Sequence, residues 1–147
     1  MYSFVLQNWT SIAGISFTSV TQTEQDWLDL TPFQDIVAWV DVKEVSGSPV
    51  PQLFLETAPS KDERLFVAMA AAPFTIAVST AVPPVPTVIQ LLLGTAATPI
   101  AQYLRWRLQP QSVGGIWDVT FRILIAANAP GLQPDDESRQ AMMMMGR

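Results

Sequence analysis

The feature that most restricts this chain is the side-chain alternation in Ala101–Ile125, AQYLRWRLQPQSVGGIWDVTFRILI. Leu104, Trp106 and Leu108 alternate with Tyr103, Arg105 and Arg107. After a polar interval, Trp117, Val119, Phe121, Ile123 and Ile125 alternate with Asp118, Thr120, Arg122 and Leu124. Successive side chains of a strand point to opposite faces, so each run has one bulky apolar face and one largely polar face. Such a strand is half buried against a core. Gln109–Gly115 holds a proline, a serine and two glycines, which is loop chemistry. The stretch therefore predicts two strands joined as a hairpin, with Arg105, Arg107 and Arg122 together on its outward face.

The same reading extends along the chain. Ser3–Trp9, Ile12–Thr21, Asp35–Val45, Pro51–Ala58, Arg64–Ala70, Phe74–Thr80 and Thr87–Leu93 read as further strands, the last buried on both faces. Trp27–Leu30 is a short apolar segment before Pro32, and Gly94–Pro99 reads as a turn. No segment carries a 3.6-residue apolar period. Many short strands separated by turn residues predict an all-β fold, an antiparallel sandwich or jelly roll of about 8–10 strands. Residues 1–127 form the sandwich in this reading, and residues 128–147 an extended C-terminal arm or tail. That tail, NAPGLQPDDESRQAMMMMGR, has two readings. It is a disordered terminus, or an arm that docks Met142, Met143, Met144 and Met145 in an apolar groove of a neighbour.

Composition narrows the function. A chain of 147 residues fits one domain and buries roughly 70% of its unfolded surface without staples. Charged residues are 14% of the total, against about 25% in an ordinary soluble domain. A surface so poor in charge suggests cover by a partner or by further copies. The net charge of −5 argues against nucleic-acid binding, which needs a basic face. The chain has no cysteine and no histidine, which removes thiolate chemistry, disulfides and the commonest general base and metal ligand. Met1–Ser11 has no basic region before an apolar one, so no signal peptide is expected. Leu65–Gln90 is a long uncharged run, but Pro73, Pro83, Pro84 and Pro86 interrupt it and favour short strands over a membrane span.

Sites with chemistry are few. Asp26 with Asp29, or Asp62 with Glu63, are the acid pairs nearest to a glycosidase arrangement, and solvated loop acids explain them more simply. Asp26, Asp29 and Asp35 are the candidates for Ca²⁺, without a spaced loop motif. Trp9, Trp27, Trp39, Trp106 and Trp117 are candidates for sugar stacking, with core packing as the simpler role. No cofactor, metal or catalytic residue is expected, and the chain reads as a non-enzyme. Arg105, Arg107 and Arg122 pair with Asp118 or Asp41, or meet an acidic surface on a partner subunit, where Arg is enriched.

Five stretches in order suggest a family. They are WLDL (Trp27–Leu30), a strand entered at Asp35, LFLETAPSKDERLF (Leu53–Phe66), PIAQYLRWRL (Pro99–Leu108) and WDVTFRILI (Trp117–Ile125). Together they resemble a discoidin-type, galactose-binding-like jelly roll over roughly residues 24–126. The resemblance implies that fold and carbohydrate or lipid binding. The family's flanking disulfide has no counterpart in a chain without cysteine. In overall type, the chain also resembles small virion structural proteins of tailed phages, which decorate or cement capsids or serve the head–tail region. That likeness implies a homo-oligomer bound to capsid or sister subunits, located in the virion, with no nucleic-acid or membrane partner. The alternative is a carbohydrate-binding module.

Overall fold

A computed structural model describes residues 2–15, 18–47, 50–69, 74–91, 100–111 and 115–129. In chain order the strands are β1 (Tyr2–Ile15), β2 (Val20–Thr21), β3 (Leu28–Asp29), β4 (Asp35–Ser46), β5 (Gln52–Ala58), β6 (Val67–Ala68), β7 (Phe74–Thr75), β8 (Thr87–Leu91), β9 (Tyr103–Gln109) and β10 (Ile116–Asn128). All pairings are antiparallel. Sheet one has the order β1-β10-β4-β8. Sheet two is built on β9 and β5, with β2 and β3 along the outer side of β9 and β6 and β7 along that of β5. The protein is an antiparallel β-sandwich, as the alternation predicts.

Its core lies between the two inward faces. Val119, Phe121 and Ile123 of β10 and Ile36, Ala38 and Val40 of β4 are buried from one side. Leu104, Trp106 and Leu108 of β9 and Leu53 and Leu55 of β5 are buried from the other. Trp106 meets Phe121 edge to face, with ring centroids 5.2 Å apart, which ties the sheets together near the centre of the sandwich. The Trp106 indole N–H donates to Gln7 Oε1 of β1 at 3.0 Å.

Several expectations need correction. The stretch Ala101–Ile125 is not a hairpin: β9 lies in sheet two and β10 in sheet one. Alternation shows that each strand has one apolar face but does not select its neighbour. Here the two apolar faces meet across the core instead of lying side by side. The expected strands Ser3–Trp9 and Ile12–Thr21 are largely one strand, β1, with a separate two-residue β2. Register shifts between Val5 and Gln7 and between Gln7 and Thr10 absorb extra residues without ending the ladder.

Arg64–Ala70 is not a continuous strand either. Asp62 accepts a hydrogen bond from the Arg64 N–H and caps a 3-10 turn at Glu63–Leu65, so only Val67–Ala68 pairs. Of Phe74–Thr80, only Phe74–Thr75 is a strand. Nor is β8 buried on both faces. It is the edge of sheet one, and Val88 points outward at 48% exposure.

The expected turns at Ala72–Pro73 and Gly94–Pro99 lie outside the described residues, as do Leu92, Leu93 and residues 130–147. β10 continues through Asn128 and Ala129 is buried, so the described sandwich runs two residues past 127.

Candidate functional site: the outer faces of the sandwich

The three arginines are not on one surface. Arg105 and Arg107 stand on the outer face of sheet two, while Arg122 stands on the outer face of sheet one. The cause is the assignment of β9 and β10 to different sheets, whose outward faces point in opposite directions.

On sheet two, Arg105 is directly across from Glu56 and Arg107 from Phe54. Arg105 Nε donates to Glu56 Oε2 at 2.9 Å, and Arg107 Nε donates to Glu56 Oε1 at 2.6 Å. One carboxylate thus holds two guanidiniums. Two of its three members are closed from solvent. Glu56 is 4% and Arg105 6% exposed, unusually low values for charged residues.

Aromatic rings form the cover. The Arg105 guanidinium carbon lies 3.8 Å from the Phe66 ring centroid and 5.3 Å from that of Trp27. Trp27 and Phe66 pack edge to face at 4.7 Å. The Trp27 indole N–H is anchored on the Gln22 carbonyl at 2.9 Å. Arg107 lies 4.5 Å over Phe54 and also donates to Gln109. Glu63 approaches Arg105 Nη1 only to 3.8 Å and is itself well exposed. The cluster is therefore an internal ion triad under an aromatic cover, and not an open basic patch.

On sheet one, Arg122 sits across from Asp41, donates from Nε to its Oδ2 at 3.1 Å and brings Nη2 within 3.0 Å of the same oxygen as an ion pair. Trp9 lies against the guanidinium, with its ring centroid 4.8 Å away. Arg122 is thus matched by Asp41, while Glu44 and Asp118, further along the same face, are exposed acids. Beside the Arg122–Asp41 pair runs an apolar row in register across all four strands. Val5 of β1 faces Leu124 of β10, Leu124 faces Trp39 of β4, and Trp39 faces Val88 of β8. Val37 and Ala126 add to it one step along. Val5 and Val88 are 59% and 48% exposed, Trp9 is 42% exposed, and Leu124 and Trp39 are half-buried. Apolar side chains spanning the outer face of a sheet are a binding feature when they are contiguous.

Trp27, Trp106 and Trp117 are buried, whereas Trp9 and Trp39 stand on the outer face of sheet one, not on loops. The acids Asp26, Asp29 and Asp35 do not converge, and no group of three or more potential metal ligands occurs among the described residues. Asp29 accepts from the Thr31 hydroxyl and from its backbone N–H at 2.9 Å, which holds its carboxyl below the usual aspartate value. Asp62 is lowered likewise by its hydrogen bonds from Arg64. Met142, Met143, Met144 and Met145 lie outside the described residues. No helix among the described residues is long and apolar enough to cross a membrane.

Sequence reasoning missed Glu56 and the row on sheet one. Glu56 has a legible signal, as the one acid in an otherwise uncharged strand, QLFLETA, able to face the RWR of β9. The row has none, because Val5, Val88, Leu124 and Trp39 come together only once the strand order is known. No family model matches the chain, and comparisons with curated proteins and with solved structures found no match. What the molecule defines by itself is an antiparallel β-sandwich with an apolar row across the outer face of one sheet, bordered by the Arg122–Asp41 ion pair.

Proposed function

We propose that this protein is a non-catalytic assembly component that binds copies of itself or sister subunits through the outer face of sheet one. The observation that carries this reading is the row Val5–Leu124–Trp39–Val88, which spans all four strands beside the Arg122–Asp41 ion pair. Desolvating the row and this ion pair costs less than burying a charge without a partner, which is the expensive term. The low charge content of the whole chain supports the same reading. Small, acidic, cysteine-free all-β proteins that decorate or cement phage capsids are the type it fits, with the virion as its location and capsid or sister subunits as its partners.

The test is a charge placed in the row. Val88 is exposed, so Val88→Lys leaves the sandwich folded by circular dichroism. It lowers the mass seen by light scattering and weakens binding to capsids of the protein's source. An assembly and capsid binding unchanged by Val88→Lys would overturn the assignment of the face. A wild-type chain of 16.2 kDa at micromolar concentration that binds no capsid would overturn the function.

A further inference from the structure

Among the described residues the two sheets end in four edges, and three of them are guarded. Both edges of sheet two are broken into two-residue strands, β2 and β3 on one side and β6 and β7 on the other. On sheet one, β8 is five residues long and follows Pro83, Pro84 and Pro86. β1 is different. It is 14 residues long, YSFVLQNWTSIAGI, with no charged residue and no proline. One side pairs with β10, and no other strand among the described residues pairs with it. Its register shifts are confined to Val5–Thr10, and Thr10–Ile15 runs without interruption. A regular row of backbone N–H and C=O groups is a template for another strand, normally blocked by lysine, proline, a bulge or shortness. None of these devices falls within Thr10–Ile15.

We infer that a second copy of this chain adds its own β1 to this edge, antiparallel about a two-fold axis, so that two four-stranded sheets become one of eight. The inference rests on the assembly reading and names its partner. Three observations favour a copy over a foreign strand. β1 carries no charged residue, so two copies can pair along it without like-charge repulsion between the strands, despite a net charge of −5 on each chain. A two-fold pairing puts inward residues beside inward residues when it is centred on a single position such as Ile12 or Ala13, which satisfies the pleat. Centred on Ile12, it sets Ile15 of each copy opposite Trp9 of the other. These side chains are 60% and 42% exposed and three residues either side of the axis. The segment is thus complementary to itself. Ser11, Ala13 and Gly14 around the axis are small enough for close approach of two backbones.

The test separates this edge from the face. Ala13 is exposed and lies beside the axis, so Ala13→Lys sets two like charges close together across the pair. Light scattering of the full chain should show dimer dissociation raised by about tenfold or more, which corresponds to about 1.4 kcal/mol. Ala13→Ser should leave the dimer intact. Val88→Lys should remove contacts of the face while sparing the β1 pair. Hydrogen exchange gives a second readout that needs no variant: alternate amides of Thr10–Ile15 gain protection as wild-type concentration rises. A dimer that survives Ala13→Lys, or amides of Thr10–Ile15 that exchange at one rate at all concentrations, overturns the pairing. A wild-type monomer that still binds capsids through a Val88→Lys-sensitive contact overturns it too, and leaves the assembly reading standing.

Discussion

Replacing Glu56 by glutamine removes one negative charge from between two guanidiniums and changes almost nothing in volume. The contacts at stake are 2.9 Å to Arg105 and 2.6 Å to Arg107. At an effective dielectric of about 20, unit charges 4 Å apart attract by roughly 4 kcal/mol. Desolvation of the same groups offsets most of that attraction while the triad is intact. The variant keeps the desolvation and loses the attraction. Arg105 bears the greater part, because only 7% of its side chain is exposed and its Nη1 has no hydrogen-bond partner. Arg107 is less affected, with 22% of its side chain exposed and Gln109 beside it.

Leaving a buried charge without its partner costs about 3–5 kcal/mol. Each kcal/mol lowers the melting temperature by about 2–4 °C in a domain near this size. Glu56→Gln should therefore melt at least about 6 °C lower. In urea its midpoint should fall with an unchanged slope, which marks a loss of stability and not of compactness. Replacing Glu56, Arg105 and Arg107 together by apolar residues of similar volume should cost less than Glu56→Gln alone. A loss below about 1 kcal/mol for Glu56→Gln, the range of exposed ion pairs, would show that water reaches Arg105 and would refute the closed triad.

Two further predictions concern other parts of the fold. A Cβ built on Gly14 would lie 2.2 Å from the Trp117 ring, a core side chain with little room to retreat, so Gly14→Ala should cost about 1–3 kcal/mol in chemical denaturation. Asp29 should titrate below the ordinary aspartate range by NMR, and Thr31→Val should move its midpoint upward. Because its folded value is the lower one, its contribution to stability is fully present above the unfolded value of about 3.9 and is lost as pH falls through the folded one.

The sequence carried the identity of the strands better than their arrangement. Alternation in Tyr103–Gln109 and Ile116–Asn128 identifies two half-buried strands because side-chain period is a local property. Which strands pair is not local. The short interval between β9 and β10 suggests a hairpin, yet β9 pairs with β5 and β10 with β4 and β1. That single difference sends Arg122 to the opposite side of the molecule from Arg105 and Arg107. It also hides the row on sheet one, whose members are drawn from residues 5, 39, 88 and 124. Burial of Arg105 was equally illegible, since its cover comes from Trp27 and Phe66 in segments that read as an apolar stretch and a strand. Asp62 is the legible exception: an N-capping residue just before Glu63–Leu65 signals a turn in place of a strand.

Hydroxyl-radical footprinting of the assembled protein against the isolated chain tests the central claim most directly, because tryptophan labels readily and two of the five stand on the proposed face. Trp9, Trp39 and Leu124 should lose reactivity on assembly, while Lys61 and Arg64, on the loop and turn beside sheet two, keep theirs. Equal labelling of Trp9 and Trp39 in both states would contradict it.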